Sequence, residues 1–447
     1  MQKHPHPQPK KHTQPITTRP WWQRALIALV IFAPLVGLIA VLARYSVNVP
    51  FWDQWELPTL LEKVRAGTAT FSDFFAQHNE HRILFPRLVM VGLALCTAWN
   101  VLYEIAANVV FAVGIFWFLW LIIKRTFASK KLQLATVGIM GLILFSPIQF
   151  ENWMWGWQIQ WYLNVLGLVM AVWALWAWRT TSSLAKLVVG MLGATLATYS
   201  LASGFIVWLV CLPLLWLSKD LRRLFWYWVG AALLVVGSHY VGYVDPAYHP
   251  SKLIFLSEPI QFMVYFLVYV GRPLTLDFLA GVPVALAYLA AIAVGYMHVF
   301  QAYRRELVGA LLPWLCLGLY GLLAAVSTSI SRLGLGVEQA YSNRYITLSM
   351  LLLMAFVVLL VKVYERSPGV VRRIAIAGLA VIVLLVGINY AKGIVQMKER
   401  KIHLLNVQHC AQTATSAADD CLLLLYPNKE AVWPRLQYLR SIHWGGL

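Results

Sequence analysis

Apolar positions in this chain neither alternate nor mark a single helical face; they fill long runs broken by short polar stretches. Thirteen such runs can be read: 25–45, 83–101, 105–123, 132–150, 161–178, 187–199, 205–217, 224–243, 260–271, 278–300, 307–326, 345–364 and 374–390. A helix needs roughly 18 or more apolar residues to cross a bilayer, and most of the runs reach or approach that length. One run alone can be a signal peptide, but a dozen cannot. The pattern predicts an all-α fold, a polytopic transmembrane helical bundle over 25–391. A different period appears in the loop after the first run, 46–82. Within it, 57–75 alternates apolar and polar residues at roughly helical spacing, which predicts an amphipathic helix on the membrane surface.

Charge then orients the runs. Basic residues gather in the short breaks: Lys124/Arg125/Lys130/Lys131, Arg179/Lys186, Lys219/Arg222/Arg223, Arg304/Arg305 and Arg366/Arg372/Arg373. Such clusters mark cytoplasmic loops. If all thirteen runs cross, strict alternation puts the first three clusters, nine basic residues, outside. The conflict disappears if one run of the 83–123 pair and the short 260–271 run are partial or re-entrant, with their backbone shielded by protein. The expectation is about eleven full spans and two partial segments, with thirteen spans as the alternative. Both arrangements put the N-terminus in the cytoplasm and the tail 392–447 outside, as in a bacterial inner-membrane protein. Residues 1–24 carry five basic residues and no acid, and read as a disordered cytoplasmic tail.

Composition agrees: the chain is 60% hydrophobic and only 12% charged, too few charges to cover a water-facing surface. The net charge of +18 follows from the basic clusters, so it reads as membrane orientation, and no nucleic-acid partner is expected. Cys96, Cys211 and Cys316 lie in apolar runs and read as packing residues. Cys410 and Cys421 lie in the tail, where an outside location permits a disulfide.

In the eleven-span arrangement nearly every unusual polar cluster falls on the outer side. PFWDQWE (50–56) sets Asp53 directly after Trp52 and Glu56 directly after Trp55. Burial against the rings raises a carboxylate pKa and a nearby arginine lowers it, and either way the group can be poised as a general base. The bland reading is an interfacial aromatic belt. QHNEHR (77–82) holds His78, Asn79, Glu80, His81 and Arg82, a candidate substrate-binding cluster. A metal reading would use His78 and His81 on one helical face with Glu80; no further ligand and no HExxH spacing supports it. No metal ligand is therefore assigned, and a divalent cation such as Mg or Mn stays open as a cofactor. ENWMWGWQIQW (151–161) offers Glu151, Asn152, Trp155 and Gln158. Aromatic faces stack on sugar rings, and amides and acids bind hydroxyls, although the same residues suit a membrane interface. SISRLGLGVEQAYSNRY (329–345) holds Arg332 and Arg344 with Glu338, Gln339 and Asn343. A guanidinium fork matches the oxygens of a lipid-linked phosphate, or of ordinary anionic headgroups. Arg272, Lys252 and His249 can add to that site.

An acid just outside the first span, an amphipathic helix in a large first outer loop, and many spans after it resemble the GT-C class of membrane glycosyltransferases. Members carry the catalytic acid in that loop and commonly take the sugar from a polyprenyl phosphate. Asp53 in PFWDQWE occupies the matching position, and Glu56 can share the role. The chain departs from better-known members in having no clear DxD or DE pair and too short a tail for their soluble domain. PFWDQWE, QHNEHR and QAYSNRY together also resemble a group of bacterial membrane proteins of unassigned activity. The resemblance implies transfer from a polyprenyl-phosphate-linked sugar to a cell-envelope glycan or lipid acceptor, in the lipid bilayer, on the outer face. Asp53 would be the base, Arg332 and Arg344 would hold the leaving phosphate, and the tryptophans of 153–161 would position a sugar. Two alternatives stand beside it. One is a lipid-linked glycan polymerase or ligase with a pyrophosphate donor and a histidine base such as His78 or His249. The other is a lipid-linked sugar transporter or flippase, which would place ionisable residues at mid-membrane depth.

Overall fold

Each of the thirteen apolar runs folds as helix, and the fold is all-α. The computed structural model describes residues 21–447 except 179, 247–249, 276 and 304–305. The expected cytoplasmic tail lies outside the described residues up to residue 20, as do Arg179, His249, Arg304 and Arg305.

In chain order the helices are α1 (Trp21–Tyr45), α2 (Leu57–Arg65), α3 (Phe71–Phe75), α4 (Leu84–Thr97), α5 (Leu102–Thr126), α6 (Lys130–Leu144), α7 (Phe150–Trp153), α8 (Ile159–Val172), α9 (Ser183–Thr198), α10 (Ile206–Val210), α11 (Leu212–Leu217), α12 (Lys219–Arg222), α13 (Phe225–Tyr240), α14 (Ile254–Ser257), α15 (Pro259–Gly271), α16 (Gly281–Tyr303), α17 (Glu306–Arg332), α18 (Ile346–Arg366), α19 (Gly369–Thr413) and α20 (Lys429–Ser441). The described strands, β1 (Gln77–His78) and β2 (His81–Arg82), form one small antiparallel hairpin. Among the described residues, seven helical segments are long and apolar enough to cross a membrane, as in a multi-pass membrane protein. Four more apolar helices are shorter than that, so length alone gives neither eleven nor thirteen crossings. Local chemistry shortens some of them. Pro213 interrupts the run 205–217 where α10 passes into α11, and Ala98 and Trp99, both with φ of 50°, end α4.

The bundle is built around α18, buried along almost its whole length and packed by α6, α8, α15, α16, α17 and α19. By contrast, only 17% of the most apolar window of α16 and 22% of that of α19 is covered by protein. Apolar surface of that extent needs an apolar surrounding.

α19 departs from the expected short polar tail. It continues through the end of its apolar run at Tyr390 as far as Thr413. The reason is periodic: Gly393, Met397, Leu404, Val407, Cys410 and Ala411 recur on a buried face, while Lys398 and Glu399 are exposed. A Cys410–Cys421 disulfide then turns the chain back, and α20 buries Val432, Leu436 and Leu439. The helix expected within 57–75 is divided into α2 and α3. α2 buries Leu57, Leu60 and Leu61 and packs against α4 and α20.

Gly167 and Gly193 face each other where α8 crosses α9. A Cβ on Gly167 would lie 2.4 Å from the Gly193 carbonyl oxygen, so the backbones touch because neither residue has one. Gly167→Leu should destabilise the protein by about 1–3 kcal/mol, read as a lower melting temperature in detergent. Gly230→Leu, whose Cβ would meet nothing within 4 Å, should not.

Candidate functional site

The segment between α1 and α2 leaves the helical path, so its backbone groups need partners from elsewhere. Phe51 N–H donates to Gln54 Oε1 (3.1 Å), and Trp155 Nε1 donates to the Phe51 carbonyl (3.0 Å). Gln54 Nε2 in turn donates to the buried Glu104 (2.6 Å), whose other oxygen accepts from Trp99 Nε1 (2.8 Å). Trp52 N–H donates to the Leu425 carbonyl in the C-terminal segment (2.8 Å). Trp52 itself has φ of 51°, a costly conformation for a bulky residue. The result is a rigid 3-10 turn, Trp52–Glu56, that presents Asp53 and Glu56 on one side and leaves the Trp52 ring 43% exposed.

The hairpin brings His78 to these acids. Asn79 and Glu80 form its two-residue turn, with Asn79 at φ of 48°, a conformation asparagine tolerates. His78 is only 4% exposed. Its Nδ1 lies 2.9 Å from Glu56 Oε2, its Nε2 lies 3.8 Å from Asp53 Oδ2, and the Asn79 amide is 3.3 Å from that same nitrogen. Trp157 packs edge-on against the imidazole, ring centres 5.0 Å apart. Burial opposes a charge on His78, but hydrogen bonding and attraction to Asp53 and Glu56 outweigh it and raise its pKa to about 9. Burial likewise works against ionisation of Glu56, yet His78, then Tyr426 and Arg435, hold its pKa below the ordinary value. At neutral pH His78 is therefore an imidazolium between two acids, with no lone pair to act as a base.

Asp53, Glu56 and His78 each offer one donor atom, all within 4.8 Å of one another. Two hard carboxylates and an imidazole suit a cation such as Mn, and Mg by the carboxylates alone. A bound ion would have to displace the His78 proton. This set differs from the expected His78–Glu80–His81 grouping, because His78 and His81 face each other across a hairpin instead of sharing a helical face. His81 Nδ1 accepts the Ala202 N–H (3.0 Å), so the ring proton sits on Nε2, 3.5 Å from Glu80 Oε1. Burial, reinforced by Arg332 and partly offset by Glu80, pushes the His81 pKa down to about 4. Glu80 forms a short ion pair with Arg332.

The other expected residues divide by what they hold. Arg82 donates to the carbonyls of Phe75, His239 and Val241 and stacks on the Phe75 ring. Arg272, fully buried, donates to the carbonyls of Tyr341 and Thr275 and to Asn343 Oδ1. Asn152 Nδ2 donates to the Arg344 carbonyl (2.8 Å) and approaches Thr347 Oγ1 (2.6 Å). Trp155 ties down Phe51, as above; Gln158 is buried. Gln339 accepts from Tyr265 and Tyr345, and Glu338 is exposed. These side chains secure backbone turns or stand apart from the acids.

Glu151 and Arg344 are placed differently. Glu151 Oε2 accepts from Ser342 Oγ (2.9 Å) and from the Arg344 N–H (3.2 Å). Among the described residues, the Arg344 guanidinium is hydrogen-bonded through Nε alone, to Ser342 Oγ (3.1 Å), and the group feels the charges of both Glu151 and Asp53. Arg400, on the unexpected extension of α19, lies 4.1 Å above the Phe51 ring and within electrostatic reach of Glu151. Its guanidinium makes no hydrogen bond to any described residue. Arg400, Tyr426 and Arg435 were not legible as site residues, although the helical period of 391–413 was a signal that could have found Arg400.

A raised His78 pKa stabilises the fold fully below about 6.5, and that stabilisation is lost as pH rises through about 9. Amide protection of the 77–82 hairpin should therefore fall across that interval in hydrogen exchange, and His78→Gln should flatten the profile. Unchanged protection up to pH 10 would mean that the imidazolium is not there. No family model, curated protein or solved structure matches this chain.

Proposed function

We propose that the protein is a membrane glycosyltransferase that moves a sugar from a polyprenyl-phosphate donor to a cell-envelope glycan or lipid acceptor. In this reading it sits in a bacterial inner membrane with about eleven crossings, its N-terminus in the cytoplasm and the 46–82 loop and C-terminal segment outside. The observation that carries it is that Arg344 feels the charges of Asp53 and Glu151, and that Arg400, within reach of the same Glu151 and above the Phe51 ring, makes no hydrogen bond to any described residue.

Asp53 accepts the proton of an acceptor hydroxyl as that oxygen bonds to the sugar C1. The bond between C1 and the phosphate oxygen breaks, and its electron pair leaves with the phosphate. Arg344 and Arg400 bind the charge that develops there. Arg332 neutralises Glu80 and keeps that acid from opposing the anion. His78, already protonated, balances Asp53 and Glu56, which favours an acid as base over the histidine base of a polymerase or ligase. When bound, a divalent cation at Asp53, Glu56 and His78 would add positive charge beside the leaving group.

Asp53→Asn should lower transfer by about 10²–10⁴-fold with an unchanged melting temperature. Arg344→Ala and Arg400→Ala should each cost about 10²–10³-fold. The readout is sugar transferred from a polyprenyl-phosphate donor in membranes, with accumulation of that lipid-linked sugar in cells carrying the variants. Full transfer by Asp53→Asn would remove Asp53 from the mechanism.

A further inference from the structure

α1, α6 and α19 pack against one another yet leave a groove of about 840 Å³ between them. It extends from Ile31, Leu134 and Val383 at one end to Val41, Pro147 and Ile394 at the other. Its walls are almost wholly apolar, and Ala33, Gly37, Ala135 and Gly138 give it width. A Cβ on Gly37 or Gly138 would meet nothing within 4 Å, so both glycines face the open groove.

The Pro147 end adjoins the candidate site. Chain leaving the groove at Pro147 runs through Gln149 directly into α7, which carries Glu151. Gly393 packs its backbone on Pro147 and Ile148, and Arg400 stands two turns, about 10 Å, further along that face of α19. Lys401 Nζ donates to the Arg44 carbonyl (2.9 Å), so α1 and α19 are joined by basic residues just beyond this end. An apolar channel whose open end lies about 10 Å along α19 from a guanidinium that makes no hydrogen bond to any described residue fits a molecule that is one long hydrocarbon chain with an anion at its tip. A two-chain phospholipid would leave one chain outside.

We propose that this groove holds the isoprenoid chain of a polyprenyl monophosphate, with the phosphate at Arg344 and Arg400. The proposal rests on the transferase reading above and names where its donor lies. Branched isoprene units need more width than a straight acyl chain, and the small residues of α1 and α6 provide it.

The test uses the full-length protein in nanodiscs of phosphatidylethanolamine and phosphatidylglycerol, with a polyprenyl monophosphate as probe. Binding should raise the melting temperature, and the corresponding polyprenol should bind more weakly. Gly37→Leu and Gly138→Leu should weaken monophosphate binding by about tenfold or more. Their unliganded melting temperature should not fall, because leucine suits a helix better than glycine and meets no neighbour here. Arg400→Ala should weaken binding of the monophosphate and leave polyprenol binding unchanged. Wild-type affinity in both glycine variants, or equal competition by phosphatidylglycerol, overturns the proposal. The two readings fail separately. Transfer that persists in Gly138→Leu removes the groove and leaves the transferase. Binding that Gly138→Leu abolishes, with no transfer by wild type from any polyprenyl-phosphate sugar, removes the transferase and leaves the groove.

Discussion

A helix satisfies its own backbone, but every residue that leaves one in an apolar medium exposes a donor and an acceptor that need partners. That constraint organises one end of this molecule. Asn108 binds the carbonyls of Asn152 and Trp155, Asn389 that of Pro273, and Trp153 that of Ser146. Arg82 and Arg272 gather carbonyls from three and two residues. Much of what looks unusual in the sequence, amides, tryptophans and arginines in an apolar chain, is used to make turns possible. Other polar groups do more than secure turns, among them Asp53, Glu56 and His78 in one group and Glu151, Arg344 and Arg400 in another.

The same constraint explains which parts of the fold were legible. Apolar runs announce helices because the surrounding medium permits little else, and all thirteen are helical. Asp53 and Glu56 stood out because two acids and two tryptophans fall within five residues. What could not be read was which polar residue serves a turn and which serves a ligand. Arg82 and Arg344 look alike in sequence, and they differ only in how many carbonyls surround the guanidinium. The pairing of His78 with Glu56 depends on a two-residue turn, and nothing in QHNEHR distinguishes that hairpin from a helical turn. Arg400 was hidden by its distance along the chain from the other site residues and by its place beyond the last apolar run.

Electrostatics and packing reinforce each other at the turn Trp52–Glu56. The buried Glu104 fixes Gln54, Gln54 fixes the turn, and the turn delivers two acids to His78. Each acid gains an imidazolium neighbour, and both acids raise the pKa of that imidazolium. His78 and Glu56 therefore titrate as a coupled pair, in which changing either alters the protonation of the other.

The disulfide between Cys410 and Cys421 lies four residues before Leu425, whose carbonyl holds Trp52, and five before Tyr426, which donates to Glu56. A segment much further along the chain thus reaches back to secure the turn Trp52–Glu56. That closure needs an oxidant, which most cells keep away from the cytosol. Maturation is thereby tied to redox compartment: where both thiols stay reduced, the segment that holds Trp52 and Glu56 loses the covalent closure just before it.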